Sequence, residues 1–352
     1  MEAANPWRPA VVAGLCTRLG SGRAAHPGGY GYSPSVRVSR ISNVFPLVIP
    51  KELFMKKQAL VLAIAALATS GVFAQANDTL AKIKASGSIS LGVRDSSALS
   101  YTLGNGKYVG FHTEMAERIV DDLSKDVGKK LNINYTLVSS QNRIPLVQNG
   151  TVDLECGSTT NNATRAKDVD FAYNTYMEVV RVAVKANSGI KDLKDLNGKT
   201  IATTTGTTSV QLLRKNRRAQ GLEFKEVNGK DHADSFLLLE SGRADAFVMD
   251  ASILAANISK SKNPKDYAIV GPELSVEPIA CMVRKGDTAF LKAVNASIER
   301  QVKDGSLAKL YDKWMVQPVP PNNVALGLPL SEATKEAWAH LNNKPAEEFA
   351  AK

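Results

Sequence analysis

The chain has 352 residues, with 44 Lys and Arg against 34 Asp and Glu, a length that suits about two domains. Eight of the basic residues and two of the acids fall before residue 58, leaving 36 against 32 and a net charge of +4 for the rest. That balance, without a basic stripe interleaved with aromatics, excludes nucleic-acid binding as a reading of the charge.

Residues 1–54 are rich in Gly, Pro, Ser and Arg and show no amphipathic period, so they are expected to form a disordered, non-native upstream extension. Met55-Lys56-Lys57 then opens an apolar run over 59–68, followed by Ala74-Gln75-Ala76. A basic start, a short apolar core and an A-x-A-like end predict a secretory signal peptide over 55–74 or 55–76. The run is short for a membrane span, which needs ~20 apolar residues. Translation is therefore expected to start at Met55 and the mature, exported chain to cover 77–352. Cys156 and Cys281 are the cysteines of that part. In an exported protein they suggest one disulfide, with two free buried thiols as the alternative. Without C-x-x-C spacing or a neighbouring His, no metal site is expected, and no cofactor.

Along the mature chain, a short helix is predicted over 80–85 and an alternating strand over 89–93, ending on Arg94-Asp95-Ser96-Ser97. Gly and Asn over 103–107 predict a turn. Met115, Ile119, Leu123 and Val127 keep helical spacing, with Thr113 as the N-cap and Glu114 in the first turn. A strand over 133–138 leads to Ser139-Ser140-Gln141-Asn142-Arg143, with a helix start near Pro145. A strand over 152–156 empties into a loop of small and amide residues, Gly157 to Asn162, that ends on Arg165. Beyond it, an apolar strand is predicted over 179–184 and another over 200–203. The second runs into Thr204-Thr205-Gly206-Thr207-Thr208-Ser209 at the start of a helix from Val210. A hydroxyl-rich loop at a helix N-terminus suits an anion. Lacking GK[ST], it fits carboxylate better than phosphate. Asn228 to His232 is a further strand exit, and Asp250 ends the next strand. Short strands are predicted over 268–270 and 279–283, then helices over 290–310, interrupted at Gly305, and over 332–341.

One unit occurs twice. Leu146-Val147-Gln148-Asn149-Gly150-Thr151-Val152-Asp153-Leu154 matches Leu238-Leu239-Glu240-Ser241-Gly242-Arg243-Ala244-Asp245-Ala246. Each reads as a helix end, a Gly just past it, then Asp entering a strand. Two such units predict two similar lobes facing one cleft.

The strand ends collect Arg94, Arg143, Arg165, His232, several hydroxyls and one acid, Asp250. Guanidinium groups match carboxylates two-pronged, and an aspartate suits an ammonium. Several cationic donors and one anion therefore predict a zwitterion with excess negative charge, an acidic amino acid.

The residues that carry this pattern also resemble a known family, the periplasmic solute-binding proteins of ABC importers for polar amino acids (family 3). The resemblance lies in Gly92-Val93-Arg94-Asp95-Ser96-Ser97, Ser140-Gln141-Asn142-Arg143-Ile144-Pro145-Leu146 and Glu155 to Asn162. It continues in Gly206-Thr207-Thr208-Ser209, Lys230-Asp231-His232, Leu239 to Ala244, Met249-Asp250 and Leu310-Tyr311-Asp312-Lys313-Trp314. It implies an α/β, two-lobed periplasmic-binding-protein fold of type II, two α/β lobes joined by two hinge strands with the ligand in the cleft. Lobe 1 would comprise 77–182 plus 281–352 and lobe 2 would comprise 183–280. The resemblance further implies a monomer that captures L-glutamate or L-aspartate in the periplasm and delivers it to membrane permease subunits. Arg165, helped by Thr160 and Thr208, would hold the α-carboxylate. Asp250 and Ser158 would take the ammonium, and Arg94, Arg143, Ser140 and His232 would face the distal carboxylate. Cys156 and Cys281 would form the family's disulfide. Two rivals stand beside this reading. A dehydratase-like periplasmic enzyme on the same fold would need a general acid or base, for which His232 is the candidate. A receptor sensor domain would need a following membrane span, which 315–352 does not contain.

Overall fold

The computed structural model describes residues 78–349; the expected upstream extension and signal peptide, 1–54 and 55–76, lie outside the described residues. Lobe 1 begins with α1 (Thr79–Ser86), β1 (Ser88–Val93) and a two-stranded ribbon of β2 (Tyr101–Thr102) and β3 (Tyr108–Val109). It continues through α2 (Phe111–Asp126), β4 (Asn132–Leu137), α3 (Arg143–Gln148) and β5 (Leu154–Glu155). The long strand β6 (Val169–Lys185) then crosses into lobe 2. That lobe holds β7 (Thr200–Thr204), α4 (Thr208–Gln220), β8 (Lys225–Gly229), α5 (His232–Glu240), β9 (Ala246–Asp250), α6 (Ala251–Lys260) and β10 (Tyr267–Val270). Strand β11 (Val276–Arg284) returns the chain to lobe 1, where α7 (Thr288–Lys303), α8 (Ser306–Tyr311), β12 (Pro318–Val319), β13 (Val324–Ala325) and α9 (Glu332–Ala339) complete it.

The sheet order is β4-β1-β5-β11-β6-β9-β7-β8, with β10 also on β6. In lobe 1, β1 is parallel to β4 and β5. In lobe 2, β7 is parallel to β8 and β9. Strands β6 and β11 are antiparallel to each other and run through both lobes, with Glu178 opposite Glu277 near the crossing. Alternation explains why both faces of the lobe 2 sheet are covered. Ala246 and Val248 pack with Leu213 of α4 on one face, while Phe247 and Met249 pack with Phe236 of α5 and Ile253 of α6 on the other.

The duplicated unit is a structural repeat. Gly150 and Gly242 adopt φ of 76° and 73°, the left-handed conformation that a Cβ disfavours. In each copy the residue before the aspartate turns back on the helix: Val152 N–H donates to Leu146 O and Ala244 N–H to Leu238 O, both at 2.9 Å. The shared aspartates pin the neighbouring parallel strand. Asp153 Oδ2 accepts from Ser90 N at 2.9 Å and Asp245 Oδ2 from Thr200 N at 2.8 Å.

Several expectations change. The strand predicted over 179–184 is the second part of β6, which starts ten residues earlier. Its first part hides from an apolar pattern because Asn174, Thr175 and Glu178 are buried yet bonded, to Asn342, His112 and Ser252. Val180 and Val182 were expected in lobe 1 and Ala280 in lobe 2. The first two pack in the lobe 2 core and Ala280 packs with Val169 and Phe171 of lobe 1. The strands run unbroken through the crossing, so no change of residue type marks the boundary. Helix α2 starts at Phe111 with Gly110 as N-cap, three residues before the expected cap, Thr113. Thr113 instead donates its hydroxyl to Ser100 Oγ at 2.8 Å. The interruption at Gly305 falls where expected, between α7 and α8.

Cys156 and Cys281 form a disulfide with a Cα–Cα distance of 4.3 Å, tying the end of β5 to β11. The C-terminal segment straps the same region. Trp338 donates to Thr175 O at 2.9 Å, and Asn161 Nδ2 donates to Asn343 O at 2.8 Å, anchoring the residue next to Thr160.

Candidate functional site

Parallel strands from both lobes end toward each other, as expected for a ligand site at strand carboxyl ends. Between them lies a small, tightly closed void lined by Ser140, Arg143, Ser158, Thr160, Thr208, His232 and Asp250, together with Thr207 and Met249, which sequence reasoning did not single out. Seven of the nine expected residues are thus brought together. Arg94 and Arg165 flank this group.

Arg94, at the end of β1, is fully buried. Its Nη2 donates to Ser140 Oγ at 3.0 Å, to His232 Nε2 at 2.9 Å and to Asp231 Oδ2 at 3.2 Å. A guanidinium can only donate, so His232 Nε2 accepts and Nδ1 carries the hydrogen, which points to Thr204 Oγ1 at 3.1 Å. Burial pushes the His232 pKa down to about 3 and the Arg94 charge adds to it. The ring is therefore neutral at physiological pH. Arg143 opens α3 and is 2% exposed. Its Nε and Nη1, like those of Arg94, have no hydrogen-bond partner among the described residues. Burial first, then repulsion from Arg165 and Arg94, drives the Arg143 pKa well below its ordinary value. Across the void, Asp250 ends β9 with Oδ1 unpartnered. Burial raises its carboxyl well above the usual range, and the Glu178 and Glu277 charges add to the rise. Unpaired buried donors and acceptors cost ~1–3 kcal/mol each, more when charged. Two buried guanidiniums and one buried carboxyl are the groups that a zwitterion's opposite charges can pair with.

Arg165 lies at the outer edge, half-buried. It donates to Thr160 O at 2.9 Å and to Gly206 O at 3.3 Å, spanning the two lobes. Other contacts also bridge the cleft: Ser96 Oγ donates to Asp231 Oδ1, Asn257 Nδ2 donates to Ser96 O at 3.4 Å, and Lys260 Nζ sits 4.3 Å from the Tyr101 ring centroid.

The expectation of a single acid is wrong. Asp231 ion-pairs with Arg94 and caps α5 through His232 N at 2.7 Å. Glu155 is fully buried, with Oε2 accepting from Thr159 Oγ1 at 2.8 Å. Glu277, 4% exposed, accepts the hydroxyl hydrogens of both Thr160 and Thr208. Asp231 could have been recognised as a cap, an acid just before a helical run. Glu277 carries no such signal, because it comes from a hinge strand far along the chain.

The chain matches the bacterial extracellular solute-binding proteins, family 3, over residues 89–317. It is 43% identical over 290 residues to the L-glutamate/L-aspartate-binding protein of Pseudomonas aeruginosa, covering 81% of this chain and 96% of that protein. It is 40% identical over 291 residues to the glutamate/aspartate import solute-binding protein of Escherichia coli, covering 80% and 96%. Among solved structures, a solute receptor for L-cysteine of Neisseria gonorrhoeae superposes with a TM-score of 0.60 at 30% identity, covering 72% of this chain and 99% of that one. With both hinge strands and every residue that lines the void inside the matched span, the chain belongs to the bacterial extracellular solute-binding proteins, family 3.

Proposed function

We propose that this protein captures L-glutamate or L-aspartate between its lobes in the periplasm and, as a monomer, delivers it to the permease subunits of an ABC importer. The signal expected over 55–76 would bring it there. The observation that carries the reading is the pair of buried guanidiniums, Arg94 and Arg143, whose Nε and Nη1 have no hydrogen-bond partner among the described residues, with Arg143 and Asp250 both lining the void. Arg143, with Arg94 acting beside Ser140 and His232, faces the distal carboxylate. Asp250 and Ser158 take the ammonium. The α-carboxylate lies toward Arg165, Thr160 and Thr208. The names of the relatives from P. aeruginosa and E. coli support the ligand class.

The enzyme alternative rests on His232. Its Nε2 is occupied by Arg94 and its pKa is about 3, far from the range near operating pH that a general base needs. A thermal-shift screen of the amino acids tests the proposal. A ligand at a thousand times its Kd stabilises the fold by about 4 kcal/mol, so L-glutamate and L-aspartate should raise the melting temperature by several degrees. A screen in which neither acid shifts it refutes the assignment.

A further inference from the structure

The loop after β5 brings Ser158 and Thr160 to the void, yet between β5 and a short turn at Arg165–Lys167 it holds no helix or strand of its own. Part of its backbone pairs with the hinge strand β11: Asn161 N donates to Pro278 O at 2.8 Å and Ala280 N to Thr159 O at 3.2 Å. The rest is met by residues 342–349, a strap beyond the span 89–317 that matches the family. Ala346 N donates to Asn161 O at 2.9 Å. Asn161 is 2% exposed, and its side-chain amide donates to Asn343 O at 2.8 Å and to Lys344 O at 3.3 Å. The same amide reaches Asn174 Oδ1 of β6 at 3.2 Å, and Asn174 N donates to Asn342 O at 2.8 Å. Further along the strap, Glu347 Oε2 accepts from Ala163 N at 3.1 Å. Asn161 thus ties loop, hinge strand and strap together, one residue from Thr160, without itself lining the void.

We propose that Asn161 and the strap position the loop for ligand capture: they hold it in its binding shape before the ligand arrives, so that affinity depends on residues 342–349, none of which lines the void. This inference rests on the acidic amino acid reading and adds to it a part of the chain outside the cleft. A loop fixed by β11 and the strap together is ready for the ligand. Released from the strap, it is in place for only a fraction of the time, and the apparent Kd rises by the inverse of that fraction.

Position 346 offers the probe, because proline lacks the one group in question, the backbone N–H. Ala346 opens a helical turn, where proline is tolerated. Pro345 before it holds φ of −74° and ψ of 163°, the extended conformation that a following proline requires. The test is calorimetric titration of the purified protein and three variants with L-glutamate and L-aspartate, together with hydrogen exchange over residues 158–165 without ligand. Ala346→Pro should weaken both acids roughly tenfold, the size of one lost backbone hydrogen bond. Its loop should exchange faster, while its melting temperature without ligand stays close to that of the unaltered protein. Ala346→Gly keeps the N–H and should bind within about threefold of the unaltered protein. Asn161→Asp, the same shape with no hydrogen to donate, should weaken both acids further by setting a carboxylate against the carbonyls of Asn343 and Lys344. The pair of variants at 346 keeps the question answerable if Asn161→Asp fails to fold. Three results overturn the inference while leaving the ligand reading intact: unchanged affinity in Ala346→Pro, unchanged loop exchange in Ala346→Pro, or an equal loss of affinity in Ala346→Gly and Ala346→Pro. An unaltered protein that binds neither acid overturns the reading and the inference together.

Discussion

Arg143 is a buried side chain whose charge the fold itself leaves largely unused. It is 2% exposed, its Nε and Nη1 have no hydrogen-bond partner among the described residues, and neighbouring guanidiniums repel it. Folding alone gains nothing from that arrangement. Removing one member of a buried charge pair costs ~2–5 kcal/mol, so Arg143→Ala should weaken acidic ligands roughly 30-fold or more. Its melting temperature without ligand should stay level or rise. Unchanged affinity would remove Arg143 from the site.

Glu178 gives a second prediction at this scale. Burial first, with the Glu277 charge adding, pushes its carboxyl up to about 7 despite hydrogen bonds from Ser252 and Val179. A folded pKa above the ordinary 4.5 means the group's stabilising contribution is complete below about 4.5 and lost as pH rises through about 7. The melting temperature should therefore decline between pH 5 and 8. Glu178→Gln should decline less across that window and melt higher at pH 8. Parallel curves for the two proteins would contradict this account.

At the scale of elements, Gly206 sets how closely the lobes approach. It holds φ of 82°, and a Cβ there would lie 2.9 Å from the backbone of Gln141 in the opposite lobe. The loop after β7 thus reaches lobe 1 only because residue 206 has no side chain. Gly206→Ala should leave each lobe folded, at a backbone cost of about 1 kcal/mol, while ligand affinity drops by an order of magnitude or more. An unchanged Kd would show that closure does not need this contact. Much at this scale was legible in the sequence. The repeated helix–Gly–Asp unit predicted two like lobes, because a left-handed Gly and a strand-pinning Asp are local requirements. Polar loops at strand ends predicted where the site lies. The first part of β6 was not legible, since its polar residues are satisfied by partners more than 60 residues away, His112 and Asn342 among them. Glu277 was missed for the same reason. Its role exists only where β11, the loop after β5 and the start of α4 come together.

At the scale of the whole molecule, two strands carry both the fold and the motion that function requires. Strand β6 contributes to the cores of both lobes and β11, paired along it, to that of lobe 1, so the lobes are joined at the crossing, and contacts such as Arg94 with Asp231 bridge the cleft between them. This is the arrangement for hinge closure around a ligand. Residue types at strand ends indicated the ligand class, whereas the number of acids around the site did not, because charges that neutralise one another come from separate elements.

The central claim is that Arg94 and Arg143 require a negative charge on the ligand's distal end. Its most direct test is calorimetric titration of the purified protein, freed of carried-over ligand, with L-glutamate and L-glutamine. These differ by one charged group at nearly constant shape. We expect one-to-one binding of glutamate and at least ~100-fold weaker binding of glutamine, whose amide brings no charge to the buried Arg143 guanidinium. Equal affinity for the two would contradict the account and place the distal end of the ligand away from the arginine pair.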